Sequence, residues 1–377
     1  MIALNLALFM DTSLEEMSRS GQLPRLIFYL EAYSAQFNKV YVITRDDYEM
    51  QERLPPRCLY LHTGDLPAGR FLHPFIVPFL FRRELGESDV YRVLGLFLPS
   101  MIPSMIASIL YAKPVVATYQ YRYSEFARVE GRSPLIILLT RLKEKIGLLL
   151  AARVIVTTRD LEEHIKKQMP EKDVWLIPNG VVLDFFTKAR RRRPAKGSSR
   201  NVLFVGRLTK QKNLFSLLKA MRLIEGVKLT IVGEGPLQGE LTNYSRELGL
   251  DVRFQGYVPH DQLVQFYSAA DVFVIPSLIE GHPKVLLEAM ACGLPVVGTD
   301  VEGIRGIIAH EQNGLLCGAD PESIGNAVRR LLEDRRYAGK LGKNARGLII
   351  KKYDLRSILS RETALMVDLA RSERDDR

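Results

Sequence analysis

The stretch VFVIPSLIEGHPKVLLEAMACGLPVV, residues 272–297, decides the fold. Val272–Ile275 is a continuous apolar run, as a strand covered on both faces should be. Pro283 suits the first helical position, where its missing N–H costs no bond, and Gly293 suits the position just past a helix end. The spacing therefore predicts a helix over 283–292 and a second strand over 295–298. A strand, a helix and a strand at these distances make a right-handed crossover in a parallel sheet. Ligands bind outside the carboxyl ends of such strands. The helix start, with its unpaired N–H groups near Lys284, Val285 and Leu286 and its positive dipole end, is an anion site apt for a diphosphate. Glu280 lies just before this helix and Glu288 in its second turn, so the two carboxylates can reach different parts of one ligand. Glu288 can hold a vicinal diol such as a ribose, while Glu280 can meet the reacting moiety.

The same alternation runs outward in both directions. Strands are predicted at 201–206, 227–232, 252–254 and 314–316, with helices near 212–223, 236–248, 260–269, 303–310, 320–334 and 336–347. Earlier strands are predicted at 2–10, 39–44, 57–61, 90–97, 114–118 and 153–157, with helices near 22–36, 103–111, 134–150 and 159–168. The fold class is α/β, with two Rossmann-like domains facing each other across a deep cleft. The first domain is placed at 1–187, a basic linker or loop at 188–200, and the second domain at 201–348. An acceptor-binding role for the first and a nucleotide-binding role for the second are expectations that rest on a family resemblance carried by the motifs at 205–213 and 280–297. The linker reads KARRRRPAKGSSR, with seven basic residues and no large apolar one.

Composition removes other classes. The 377 residues exceed one ordinary domain and are 47% apolar and 25% charged, close to a globular average. Disorder throughout, a disulfide scaffold, collagen and a coiled coil do not fit, and a mean hydropathy of −0.02 excludes a polytopic membrane protein. Cys58, Cys292 and Cys317 form no zinc-type cluster and suit a reducing compartment as core fillers. No basic n-region precedes the apolar start, which reads as a first strand rather than a signal peptide. The charge-free run Val93–Ala112 has the length of a membrane span, but Gly95, Pro99 and Pro103 punctuate it into a strand and a helix. The Asp46–Asp47 pair is not the D-x-D of a metal-dependent transferase and reads as a loop cap.

The net charge of +10 is uneven: residues 101–200 carry 19 basic and 9 acidic side chains. No nucleic-acid-binding motif accompanies them, so nucleic acid is not the expected partner. Basic and bulky apolar residues interleave in Arg70–Arg83 and again in Leu135–Leu150, which carries Arg141, Lys143 and Lys145. That composition suits an interfacial helix on an anionic membrane surface. An amphipathic helix packed on its own sheet, with a solvated basic face, stays open beside it.

The pattern E-x7-E followed by A-M-A-C-G-L-P-V-V resembles the nucleotide-sugar-dependent retaining glycosyltransferases of family 4, which have the GT-B fold. The resemblance implies that Glu288 binds the nucleotide ribose and that Glu280 contacts the donor sugar. Val205–Asn213, V-G-R-L-T-K-Q-K-N, resembles the family's loop whose Arg and Lys stabilise the departing diphosphate. By position these are Arg207 and Lys212, with Gly206 bringing the backbone to the rim. Two cations suit a pyrophosphate in any case, and Arg can grip it in a fork. Phe254–Pro259 resembles the loop whose backbone reads the base, which assigns Gly256 and Val258 to the donor, and Gly233–Leu237 resembles the loop beside it. Ile177–Val181 resembles the interdomain segment, and 349–377 the helix that crosses back to the first domain.

The first half matches less closely. Gly21 can make the close turn of the family's first loop. Where the family often carries a histidine after the strand at 114–118, this chain reads Gln120-Tyr121-Arg122-Tyr123, so Tyr121 or Arg122 is assigned to the acceptor or donor loop. His282 stands in a slot that is often aromatic; it touches sugar or phosphate, or it caps the helix.

The resemblance implies a hexosyltransferase with no cofactor and no metal, since the nucleotide-sugar is a co-substrate and Arg207 and Lys212 carry the charge work. UDP is expected rather than GDP, and the acceptor is expected to be a glycan, lipid-linked or membrane-associated. The expected location is the cytoplasm, peripheral on the inner face of the membrane if that surface binds. Two alternatives stay open. One is another GT-B enzyme, such as an epimerase or a phosphorylase, though the six histidines form no cluster. The other is an inert scaffold that binds a nucleotide or a membrane, against which the intact Glu280, Glu288, Arg207 and Lys212 argue.

Overall fold

The computed structural model of the protein describes residues 3–45, 51–64, 69–96, 98–186 and 200–375. The Asp46–Asp47 pair and all but the last residue of the basic 188–200 stretch lie outside them. Two compact units divide the chain. One comprises residues up to Ser124, Pro134–Ile177 and the chain from Arg356; the other comprises Glu125–Ser133 and Pro178–Leu355.

The first unit is built on a seven-stranded sheet. Its strands are β1 (Asn5–Phe9), β2 (Lys39–Thr44), β3 (Cys58–His62), β4 (Val90–Val93), β5 (Val115–Tyr119), β6 (Arg153–Val156) and β7 (Val174–Leu176). Their order is β3-β2-β1-β4-β5-β6-β7, every pair parallel. The connecting helices are α1 (Leu14–Arg19), α2 (Leu23–Gln36), α3 (Gly69–Leu80), α4 (Arg82–Glu87), α5 (Leu98–Tyr111), α6 (Tyr123–Val129), α7 (Pro134–Leu150) and α8 (Arg159–Gln168).

The second unit has a six-stranded parallel sheet: β8 (Arg200–Val205), β9 (Val227–Val232), β10 (Val252–Gly256), β11 (Val272–Ile275), β12 (Val296–Thr299) and β13 (Leu315–Cys317), in the order β10-β9-β8-β11-β12-β13. Its helices are α9 (Leu214–Arg222), α10 (Gln238–Glu247), α11 (Leu263–Ala269), α12 (Lys284–Ala291), α13 (Glu302–Arg305), α14 (Pro321–Glu333) and α15 (Arg335–Lys352). A last helix, α16 (Leu355–Asp375), returns the chain to the first unit.

Both sheets are clothed on two faces, which is why their strands read as unbroken apolar runs. In β8, Val202 and Phe204 enter the core beneath α9 and α14, while Leu203 and Val205 enter the core beneath α11 and α12. In β1, Leu6 and Leu8 pack with α2 and α16, and Ala7 and Phe9 pack on the α3–α5 side. Full burial of side chains of this size contributes roughly 1.5–3 kcal/mol each.

The helix of the opening stretch spans 284–291 with Pro283 as its N-cap. It ends as Gly293 predicts. The Gly293 amide bonds to the Met290 carbonyl at 2.9 Å and the Leu294 amide to the Ala289 carbonyl at 3.1 Å, with Gly293 at φ +72°. These are the paired bonds of a Schellman stop, which needs a left-handed residue.

Three of the predicted ranges differ most. The strand placed at 90–97 stops at Val93, and the helix placed at 103–111 begins at Leu98. A charge-free run gives no period to separate a buried strand from a buried helix. The helix placed at 303–310 is four residues long. Among the described residues, no helix is long and apolar enough to cross a membrane.

Candidate active site

In the second unit, β9 and β10 lie on one side of β8, and the chain then returns to place β11 on the other side. The loops after β8 and β11 therefore leave the sheet at its switch point, where the crevice of a doubly wound fold forms. These are the loops that carry Arg207, Lys212 and Glu280.

The two loops are tied together by backbone and side chain. The Leu278 amide donates to the Gln211 carbonyl at 2.8 Å, and Gln211 Nε2 donates to the Ile279 carbonyl at 2.6 Å. Lys212 Nζ then meets Glu280 Oε1 at 2.5 Å, and Ser277 Oγ donates to the same oxygen at 2.7 Å. Both members of the ion pair are largely buried, with side chains 14% and 8% exposed. An ion pair so far removed from water is more than a surface contact and resists screening. Arg207, one residue past Gly206, is exposed. From the other side, Glu130 Oε1 accepts the Gln211 amide at 2.9 Å.

Glycines let neighbouring loops close on one another. A Cβ at Gly233, which has φ +125°, would stand 2.1 Å from the Gly206 carbonyl oxygen. The Gly233 amide bonds to the Gly256 carbonyl at 2.8 Å, and the Leu208 amide to the Glu234 carbonyl at 2.9 Å. Hence the loops after β8, β9 and β10 are joined backbone to backbone. Gly256 closes β10 and Val258 lies in the third of these loops, where Glu234 Oε1 accepts the Tyr257 amide at 3.2 Å. Gly303 supports the other flank: a Cβ there would stand 1.8 Å from the Gly281 carbonyl oxygen.

Glu288 is buried in α12. Its Oε1 pairs with His260 Nε2 at 2.8 Å, and its Oε2 accepts from the Tyr267 hydroxyl at 2.9 Å. Burial, with the adjacent Glu288 charge, drives the Tyr267 phenol well above its ordinary range, so it stays a donor. Each carboxylate oxygen has two acceptor sites, and one contact apiece leaves a second available. His282 is buried with no partner for its Nδ1 among the described residues. Burial holds its pKa down at about 3, so the ring is neutral. The N-cap of α12 is Pro283, and the His282 ring lies 5.4 Å from the Tyr353 ring. Its backbone carbonyl accepts from Asn179 Nδ2 at 2.8 Å. At the helix start, the Leu286 amide turns back to the Pro283 carbonyl at 3.2 Å, while Lys284 and Val285 occupy the first two positions.

Gly21, Tyr121 and Arg122 belong to the first unit. Gly21 follows α1 at φ +61°, and the Tyr121 ring lies 4.4 Å from that of Tyr123 after β5. Sequence reasoning did not single out Ser277, His260, Tyr267 or Gly303. His260, Tyr267 and Gly303 reach their partners across 21 to 28 positions, beyond any local motif, whereas Ser277 lies three residues before Glu280 in the same loop. Pro259-His260, directly after the Gly256 loop, was the one nearby signal.

Two Rossmann-like parallel-sheet units, the second with converging cationic and acidic loops at its switch point, define the GT-B class of glycosyltransferase. The sequence family described as Glycosyl transferases group 1 matches residues 185–348, and that described as Glycosyltransferase Family 4 matches residues 27–185. The chain belongs to this family of glycosyltransferases. An uncharacterized glycosyltransferase of Methanocaldococcus jannaschii is 35% identical over 237 residues, covering 58% of this chain and 60% of its own. The Escherichia coli UDP-Gal:alpha-D-GlcNAc-diphosphoundecaprenol alpha-1,3-galactosyltransferase is 31% identical over 209 residues, covering 52% and 54%. The alignments thus span between about half and three-fifths of these relatives' lengths. Sucrose-phosphate synthase from Thermosynechococcus elongatus shares the fold, with a TM-score of 0.78, 23% identity and coverage of 98% of this chain and 100% of that one.

Proposed function

We propose that the protein transfers a sugar from a nucleoside-diphosphate sugar, with UDP rather than GDP as carrier, to a lipid-linked or membrane-associated glycan, retaining the anomeric configuration. The observation that carries this reading is the buried junction of Lys212, Glu280 and Ser277 at the switch point of the second sheet. The name of the Escherichia coli relative, a UDP-sugar enzyme with a diphosphoundecaprenol acceptor, favours UDP and a lipid-borne acceptor.

In this reading the bond between the anomeric carbon and the diphosphate oxygen breaks through an oxocarbenium-like state. Negative charge grows on the departing diphosphate. Lys212, Arg207 and the amides at the start of α12 oppose that charge, which lowers the barrier only where charge develops. Glu280 orients the Lys212 ammonium and faces the sugar. Glu288, oriented by His260 and Tyr267, takes the ribose diol on its remaining lone pairs. The acceptor oxygen bonds to the anomeric carbon on the face the diphosphate leaves, and its proton passes to the leaving phosphate oxygen. The charge work falls to Arg207 and Lys212, and this reading uses no metal. Gly21, Tyr121 and Arg122 are assigned to the first unit's share of ligand binding. The reaction is placed on the cytoplasmic side of the membrane.

The test is UDP release from UDP-sugars, with a thermal-shift screen across UDP, GDP and their sugars to identify the donor. Lys212→Ala should slow release by about 10²–10³-fold, the usual cost of losing one charge-stabilising donor. Equal release by the wild type and the variant overturns the assignment of Lys212.

A further inference from the structure

Helix α7 is inside out. Its buried positions are Glu144, Gly147 and Leu148, and Glu144 Oε1 accepts from the Tyr119 hydroxyl at 3.1 Å and the Ser124 amide at 3.3 Å. Its other leucines face the other way: Leu135, Leu138, Leu142 and Leu149 are each more than half exposed. A helix of a water-soluble surface places its apolar stripe inward and its charges outward. Here the helix's one carboxylate is buried against the protein, and every leucine but Leu148 is left outside.

The exposure is collective. Helices α3, α5 and α7 cover one face of the first sheet, α3 packed on α5 and α5 on α7. Phe75 and Phe79 on α3 and Ile109 on α5 are also more than half exposed. Of the 19 exposed large apolar side chains among the described residues, 14 lie on these three helices. Patches of such extent mark an interaction surface. The fringe is basic: Arg141, Lys143 and Lys145 of α7 and Arg82 of α4 are exposed, while Arg83 of α4 is paired with Glu87. Because Glu144 is turned inward, α7 itself carries no exposed carboxylate beside its three cations.

We infer that the face formed by α3, α5 and α7 of the first unit docks on an anionic lipid bilayer, with the leucines and phenylalanines entering the headgroup–acyl boundary and the basic side chains contacting lipid phosphates. The charge selects this occupant. Two copies paired through the same face would bring like cations together, whereas an anionic surface is complementary to them. Apolar insertion together with a basic fringe is the pairing of forces that seats an interfacial helix. This deepens the membrane-associated part of the proposed function. It stands on exposure and charge alone, so vesicle binding and UDP release can fail separately.

Vesicle flotation of the whole protein tests it, with phosphatidylcholine vesicles against vesicles containing phosphatidylglycerol, and with sedimentation velocity and UDP release measured in parallel. The wild type should float with the anionic vesicles and detach partly as salt rises. Leu138→Gln/Leu142→Gln should lose at least tenfold in bound fraction at an unchanged melting temperature. Arg141→Ala/Lys143→Ala/Lys145→Ala, which leaves the apolar residues in place, should lose the preference for phosphatidylglycerol. These positions are exposed, so neither variant removes a core contact. Absence of flotation, equal flotation by all three proteins, or a dimer that the leucine variant dissolves overturns the proposal.

Discussion

Glu280 shares one carboxylate oxygen between a lysine ammonium and a serine hydroxyl, and two residues later His282 sits buried and neutral, with no partner for Nδ1 among the described residues. The first group is poised and the second is strained toward one protonation state. Burial lowers the folded-state pKa of His282 to about 3 from an ordinary 6.5. Between those values the unfolded chain binds a proton that the folded chain refuses. This histidine's contribution to stability is therefore complete above pH 6.5 and is lost as pH falls toward 3. His282→Phe, which substitutes an apolar ring beside Tyr353, should flatten that dependence. Melting temperatures recorded from pH 7 to pH 4 should fall less steeply for the variant; parallel curves would show that the ring is not the responsible group.

At the scale of elements, two glycines near α12 are required for different reasons. Gly293 has room, with the nearest neighbour of an added Cβ 3.7 Å away, but its φ of +72° is costly for an L-residue. Gly293→Ala should lower stability by about 1–2 kcal/mol in denaturant titration, from backbone conformation alone. At Gly303 the obstacle is steric, since the new carbon would fall on the Gly281 carbonyl. Gly303→Ala must push the Glu280–Gly281 loop aside, so it should slow UDP release more than Gly293→Ala does. If Gly293→Ala slows release as much, the loop is not set by Gly303. The first glycine was legible from its place after a helix, whereas the second shows no signal until α13 is seen packed against the loop.

At the scale of the whole molecule, the chain's last helix is locked to the first unit by charge as well as by packing. Arg92 of β4 and Glu362 of α16 pair at 2.8 Å with side chains 3% and 5% exposed, and the Tyr33 hydroxyl donates to the same Glu362 oxygen at 2.9 Å. Removing one partner leaves a buried charge uncompensated. Glu362→Ala should cost about 3–5 kcal/mol, while Arg92→Met/Glu362→Leu, which replaces both charges by apolar side chains, should recover much of that. Unfolding in urea measures both; equal losses would mean that packing, not charge, governs the helix. The sequence by itself determined the two α/β repeats, the crossover at 272–297, its stop at Gly293 and the loops that bear Lys212 and Glu280, because periodicity, glycine and proline act within a few residues. Only the tertiary structure decided that His260 and Tyr267 hold Glu288, that Gly303 supports Glu280, and that α7 buries its glutamate and exposes most of its leucines. Those are contacts between distant segments, and a helical period shows that one face is apolar without showing which face the sheet will cover.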